Sequence, residues 1–163
     1  MRRSVTRVGA TIGALFVILA VVVQAKEEKV GLAKVPKPVM EAVKVRFKDA
    51  HATGASKETE EGKLVYEVTI KHGGQNIDVT LTPEGQVLLI EKEITARDLP
   101  RAAAKVLEDK YPRATYKIVE EIIKVEKKHE RLAYYEVLLA TTKKKTLEVE
   151  VTAEGKIVKE EKK

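Results

Sequence analysis

Residues 64–85 read LVYEVTIKHGGQNIDVTLTPEG, and two runs of alternating apolar and polar residues fill most of this stretch. The apolar members are Leu64, Tyr66, Val68, Ile70, Ile77, Val79 and Leu81. An alternation with a period of two is typical of a β-strand with one buried face. Gly73 and Gly74 separate the runs, as in the tight turn of a β-hairpin. The stretch therefore predicts two antiparallel strands, and Pro83-Glu84-Gly85 turns the chain into a third strand over residues 86–93.

The same pattern of strands and turns returns in the second half of the chain. Residues 135–139 and 147–151 alternate in the same way. Thr152-Ala153-Glu154-Gly155 then stands where Thr82-Pro83-Glu84-Gly85 stands in the first half. A pattern that recurs in order, type and spacing indicates one structural unit that occurs twice.

Each half opens with a predicted helix. Pro36 and Pro100 stand at its start, where the missing N–H of proline costs little. Apolar residues then recur at helical spacing: Val39, Val43 and Phe47 in the first half, and Ala103, Leu107 and Tyr111 in the second. This single apolar stripe is typical of a helix that lies on a sheet. Pro112 ends the second helix, and the first is predicted to end near Lys48-Asp49.

The sequence therefore predicts an α+β fold of two tandem repeats, each with one helix packed on a roughly four-stranded antiparallel meander sheet. The repeats span residues 35–93 and 99–161. We expect residues 53–60 and 115–127 to supply the first strand of each repeat. The linker over residues 94–98 is short, so we expect the two repeats to contact each other.

The N-terminal residues differ in composition from the rest of the chain. Three arginines precede the uncharged run Val8–Ala25, and charged residues follow at once. A basic start, an apolar centre and a small residue at the end form a secretory signal. We therefore expect cleavage after Ala25, a periplasmic or secreted protein without membrane attachment, and residues 26–34 as a charged N-terminal linker. The alternative is an uncleaved anchor, because the run approaches the roughly 18 apolar residues that can span a bilayer.

The charges of this chain argue against a nucleic-acid partner. Thirty-one lysines and arginines outnumber 25 aspartates and glutamates, which gives a net charge of +6. The two signs are interspersed, however, and a nucleic-acid-binding protein has a basic stripe or patch instead. The chain has no cysteine. An exported protein of this kind has no disulfide, and packing alone must stabilise it.

Core and turn residues form a signature that occurs in both halves. In the first half it reads Val35-Pro36, Phe47-Lys48-Asp49-Ala50, Val65-Tyr66-Glu67-Val68 and Thr82-Pro83-Glu84-Gly85-Gln86-Val87. In the second it reads Leu99-Pro100, Tyr111-Pro112-Arg113-Ala114, Tyr134-Tyr135-Glu136-Val137 and Thr152-Ala153-Glu154-Gly155-Lys156-Ile157. The signature resembles the PepSY-like, or β-lactamase-inhibitor-like, family over residues 34–161. The resemblance implies an exported, commonly tandem protein, and for a few relatives protein binding or inhibition of periplasmic enzymes. It offers no catalytic residues.

The residue types that carry catalysis or bind metals are scarce. Beyond Ala25 the only serine is Ser56, and it lacks the G-x-S-x-G context of a hydrolase nucleophile. His51, His72 and His129 are far apart and fall in predicted loops or turns, which is not the spacing of a metal site. We therefore expect no enzyme activity, no cofactor and no metal.

The candidate site lies on the sheet faces away from the helices. In the first half Val65 and Glu67 occupy this face, and in the second Tyr134, Glu136 and Leu138 do. Val158 follows on a neighbouring strand. For the two glutamates the simplest expectation is a cross-strand salt bridge to a lysine.

Apolar residues on a face that should meet water indicate a contact surface. It serves either packing between the repeats or dimerisation, or else an unknown protein partner with Tyr134 as an aromatic anchor. The preferred function is thus an exported, non-enzymatic binding module that presents its sheet faces to another protein, with inhibition of that protein as one form of this role. The alternatives are a small-ligand or metal-responsive envelope stress protein, with its ligand between the repeats, and a structural envelope component.

Overall fold

The computed structural model describes residues 27–127 and 129–163. It is an α+β structure with nine β-strands and two α-helices among these residues. The elements, in chain order, are β1 (Glu28–Lys29), α1 (Lys37–Arg46), β2 (His51–Glu60), β3 (Lys63–His72), β4 (Gln75–Leu81), β5 (Val87–Glu93), α2 (Arg101–Lys110), β6 (Thr115–Glu126), β7 (His129–Ala140), β8 (Thr146–Val151) and β9 (Ile157–Lys162). A short 3₁₀ turn precedes each helix, at Leu32–Lys34 and at Ala96–Asp98.

All nine strands form one antiparallel sheet, and their order in the sheet is their order in the chain. The sequence predicted a separate sheet of roughly four strands under each helix, and this expectation is wrong in one respect. Strand β5 pairs with β6, so the strands before and after α2 belong to the same sheet. Pairing is favoured because it satisfies backbone groups that an exposed strand edge leaves without partners.

The helices begin and end for the same local reasons in both halves. Pro36 and Pro100 are the N-cap residues, with φ near −54° in each. At the other end, the N–H of Phe47 donates to the carbonyl of Val43, and Tyr111 caps α2 in the same way. Helix α1 thus ends at Arg46, slightly earlier than the sequence predicted.

Two clusters of buried side chains form the core on the helix side of the sheet. One contains residues of α1 together with residues of β3, β4, β5 and β6, and the other contains residues of α2, β6, β7 and β8. The fully buried members with less than 2% exposure are Val39, Val68, Ile70, Val79, Leu81, Leu107, Val137, Leu139, Val149 and Val151. Burial of apolar surface at about 25 cal/mol per Å² is therefore the main favourable term for both halves.

Two glycine turns bring the sheet against the start of each helix. Gly85 has φ +85°, and a Cβ there would lie 2.5 Å from the carbonyl oxygen of Pro38. Gly155 has φ +84°, and a Cβ there would lie 2.6 Å from the carbonyl oxygen of Ala102. Only glycine combines this backbone conformation with such a close approach. The Thr-x-Glu-Gly turns of the sequence are thus points where helix and sheet meet.

The strand before each helix carries an ion pair to the strand after it. Lys57 of β2 lies 3.2 Å from Glu28 of β1, and Lys92 of β5 lies 3.9 Å from Glu121 of β6. The two pairs occupy matching positions but have opposite polarity. The two-residue strand β1 therefore precedes α1 in the same way as β5 precedes α2. It lies within residues 26–34, which the sequence predicted to be a linker.

Candidate functional site

The sheet has one face that neither helix covers, which we call the free face. Side chains alternate along a strand, so Glu67 of β3 lies opposite to Val68, which packs in the core below α1. On β7, Glu136 likewise points away from Val137 and the core below α2. Because β5 and β6 are paired, the free faces of the two halves are continuous. The halves therefore lie side by side and do not pack their free faces against each other.

The predicted site residues all lie on or next to the free face, but in two groups. Val65 and Glu67 lie on β3, and Tyr134, Glu136 and Leu138 lie on β7. Three strands separate the groups, which corresponds to roughly 19 Å at the usual strand spacing. Val65 is 2% exposed, whereas Tyr134 and Leu138 are partly exposed.

Val158 belongs to the periphery of this surface. It is 48% exposed. It lies in β9 where the register with β8 shifts between Glu150 and Val151, at a β-bulge. A bulged residue departs from the regular alternation, so Val158 extends the contact surface only at its margin.

Between the two groups lies a band of carboxyl groups that the sequence analysis missed. Asp78 of β4 is directly opposite Glu91 of β5. Farther along the sheet, Glu120 of β6 is directly opposite Glu136 of β7. The complete set of the carboxyl band is Glu67, Asp78, Glu91, Glu93, Glu120, Glu136, Glu148 and Glu150. Like charges directly opposite each other destabilise a sheet unless a proton or a cation intervenes.

Burial and mutual repulsion raise the pKa of the central carboxyls. Burial is the main cause for Glu91, whose pKa rises to about 8, with contributions from Glu120, Glu67, Glu136 and Asp78. The pKa values of Glu67, Glu120 and Glu136 rise to about 7 for the same two reasons. These groups therefore gain or lose protons near neutral pH.

Among the described residues, the ion pairs to the band lie at its β8–β9 end. Lys163 lies 2.8 Å from Glu148, and Lys159 lies 3.6 Å from Glu150. Within the described residues, neither Glu67 nor Glu136 has a lysine or arginine within 4 Å. The expected cross-strand salt bridges of these two glutamates are therefore wrong, because other carboxyls or hydroxyl side chains face them across the sheet.

One buried oxygen atom of the carboxyl band lacks a hydrogen-bond partner among the described residues. Asn76 donates a hydrogen bond of 2.5 Å to Glu93 at the edge of the band. Asp78 differs, because its Oδ1 is buried and has no hydrogen-bond partner among the described residues. A buried carboxylate oxygen without a donor costs free energy, so the centre of the band is not optimised for stability alone.

Apolar side chains interrupt the carboxyl band. Ile122 of β6 is fully buried, and it lies between Glu91 of β5 and Tyr134 of β7 in the register. Leu89 of β5 is partly buried on the same face. The face on which Ile122 lies could not be assigned from the sequence, because Ile122 and Ile123 adjoin in a run without clear alternation. The free face thus combines apolar and acidic groups in neighbouring rows.

The residues considered for catalysis and metal binding are dispersed. Ser56 is 5% exposed and lies opposite Glu67 in the register of β2 and β3. The three histidines lie at strand ends, not in loops as expected, and the ring of His72 is 5.9 Å from that of Phe47 in an edge contact. Over residues 27–127 and 129–163, no three acidic, histidine or cysteine side chains converge as metal ligands would.

A search of the curated proteins finds no match. Solved structures with a similar fold come from Bacteroides species. One from Bacteroides eggerthii, described as "putative periplasmic", has a TM-score of 0.64 and 13% identity over 78% of this chain and 88% of its own. A DUF2874 family protein from Bacteroides uniformis has a TM-score of 0.62 and 16% identity, with the same coverage. A BLIP-like protein from Bacteroides fragilis has a TM-score of 0.57 and 16% identity over 78% of this chain and 86% of its own.

Neither helix of the described residues has the length and apolar character that a membrane span requires.

The family comparison extends over most of the sequence. The model of the PepSY-like family, described as "putative beta-lactamase-inhibitor-like", matches residues 21–89 and, overlapping them, residues 65–159. These segments include both helices, the carboxyl band and both glycine turns, and they confirm the resemblance seen in the sequence. The chain therefore belongs to the PepSY-like, β-lactamase-inhibitor-like family.

Proposed function

We propose that this protein is an exported, non-enzymatic binding module that binds another protein through its free face. The observation that carries the proposal is a sheet face without a helix on it, where apolar side chains stand among desolvated carboxyls. Exposed apolar groups with polar groups around them mark interaction sites on protein surfaces. A large aromatic residue such as Tyr134 is a typical anchor of a protein interface.

The finer features of this proposal rest on the sequence. The basic start and apolar run before Lys26 favour export with cleavage after Ala25, into the periplasm or the medium. The matching halves favour two tandem PepSY-like repeats, over residues 35–93 and 99–161. The BLIP-like relative from Bacteroides fragilis agrees with a binding role, and inhibition of an enzyme would be one form of it.

A cavity between the two halves favours a second candidate function, the binding of a small ligand. It has a volume of about 660 Å³ and lies where the end of α1 meets the β6–β7 hairpin. Arg46, Lys127 and Glu84 line it together with Val87 and Val125, so it suits a small polar compound with an apolar part. A rise in melting temperature on addition of such a compound would support this function.

Site-specific photocrosslinking in the native cell envelope tests the primary proposal. A photoreactive amino acid replaces Tyr134 or Leu138 on the free face, and Val45 serves as the control because it is 77% exposed on α1. We expect discrete crosslinked products from the two free-face positions and none from the control. Equal products from all three positions, or none from the free face, would refute binding through this face.

A further inference from the structure

We propose that the partner segment is cationic and amphipathic, with lysine or arginine side chains that enter the carboxyl band and apolar side chains that cover Tyr134 and Leu138. This inference rests on the proposed function, because it specifies the chemistry of the partner at the same face. Its basis is that the free face holds a row of carboxyls, whereas the described residues pair only those at one end of the row with lysines.

The register places carboxyls in direct opposition across four strands. Glu120 faces Glu93 of β5 on one side and Glu136 of β7 on the other. Glu136 in turn faces Glu150 of β8. Burial is the main cause of the raised pKa of Glu120, and Asp78, Glu93 and Glu148 add to it. Lys163 acts on the pKa of Glu136 in the opposite direction but does not offset the increase. The centre of the band therefore lacks the opposite charges that a stable row of carboxylates requires.

The polar and apolar groups of the free face indicate which class of molecule can bind there. Nucleic acids and anionic lipid surfaces are repelled by such a face. A single metal ion does not suit it, because the carboxyls form a row and do not converge. A cationic side chain can pair with the partly exposed carboxyl of Glu136, which forms no ion pair among the described residues. Tyr134 and Leu138 flank Glu136 on the same face of β7 and are partly exposed. They require apolar groups beside that cation, as an amphipathic peptide segment provides.

Proton release accompanies the binding of such a segment. The pKa values of Glu120 and Glu136 are raised to about 7, so both groups are largely protonated at pH 6 and largely ionised at pH 8. A cation favours the ionised form and displaces the proton. Affinity should therefore increase by about tenfold between pH 6 and pH 8 for each glutamate that must ionise, and it should decrease with added salt.

The experiment uses two synthetic peptides on the protein without residues 1–25. One peptide alternates lysine with leucine, and the other alternates glutamate with leucine. Calorimetry measures both at pH 6 and pH 8. The test variant is Glu120→Gln with Glu136→Gln, and the matched control is Glu41→Gln with Glu108→Gln. The control removes the same charge from exposed positions on the two helices.

We expect the lysine peptide to bind at least tenfold more tightly at pH 8 than at pH 6, and at least tenfold more weakly to the test variant than to the control. Equal binding of both peptides, or equal effects of both variants, would overturn the inference. If Tyr134 still crosslinks to an envelope protein in that case, the proposed function stands and only the partner chemistry is wrong. A dimer that dissociates in the test variant would also overturn the inference and identify a second copy of this chain as the occupant.

Discussion

The contact between the Gly85 turn and α1 supports a quantitative prediction. Gly85 has φ +85°, and Gly62 in the β2–β3 turn has a similar φ of +79°. A Cβ at Gly62 meets nothing within 4 Å, whereas one at Gly85 lies 2.5 Å from the carbonyl oxygen of Pro38. Alanine at either position incurs the left-handed conformational penalty of about 1–2 kcal/mol. Only Gly85→Ala also pushes the turn away from the backbone of α1 at Pro38.

The magnitude of the difference follows from the added clash. Gly62→Ala should lower the free energy of unfolding by about 1 kcal/mol, because alanine also reduces the entropy of the unfolded chain. Overpacking of a tight contact adds about 1–3 kcal/mol, so Gly85→Ala should lower it by about 2–4 kcal/mol. At about 4 °C per kcal/mol for a chain of this size, the melting temperatures should fall by roughly 4 °C for Gly62→Ala and 8–16 °C for Gly85→Ala.

Urea unfolding followed by circular dichroism measures both variants, with Gly155→Ala as an independent repetition. The Cβ at Gly155 would lie 2.6 Å from the carbonyl oxygen of Ala102, so its loss should match that of Gly85→Ala. If Gly62→Ala and Gly85→Ala lower the free energy of unfolding equally, the close approach of turn and helix has no effect on stability. The assignment of both glycines as helix–sheet contacts would then be refuted.

Three further predictions concern the core and the titrating groups. Burial raises the pKa of Glu91 to about 8 from its ordinary 4.5, so the native state holds this proton more tightly than the unfolded state, and stability should fall as pH rises from about 5 to 8. Glu91→Gln should flatten this slope and raise the unfolding free energy at pH 8 by about 1–3 kcal/mol in urea titrations, whereas an unchanged slope would contradict the assignment. Leu107→Ala empties a fully buried position and should cost about 2–5 kcal/mol in calorimetry, against less than about 0.5 kcal/mol for the exposed Val45→Ala. The hydroxyl of Tyr111 donates a 2.5 Å hydrogen bond to Glu160, so Tyr111→Phe should cost about 1 kcal/mol at pH 7, and this loss should vanish in a Glu160→Ala background if the bond accounts for it.

Local patterns in the sequence were sufficient for the elements of the fold. The alternation from Leu64 to Leu81 and the glycines between its two runs correspond to β3, β4 and their turn. The helical spacing after Pro36 and Pro100 corresponds to α1 and α2. These features depend on residues that are close in the chain, and so periodicity and turn chemistry identify them.

The single sheet and the carboxyl band could not be predicted in the same way. Whether β5 pairs with β6 depends on hydrogen bonds across α2, and no local pattern encodes them. The alternation treated Glu91, Glu120 and Glu136 as solvated polar positions. Their proximity follows only from the register of two strand pairs, β5–β6 and β6–β7, in which a shift of one residue would move each carboxyl to the other face. The neighbours of Glu136 are thus a property of the assembled sheet.

The pairing of β5 with β6 has a consequence for how the molecule unfolds. Ile90 of β5 and Ile123 of β6 are directly opposite and pack in the same core below α1. If the second half opens, the first half loses both a hydrogen-bonded neighbour and part of its apolar core. The two halves should therefore melt in one cooperative transition, and not as independent domains joined by a flexible linker.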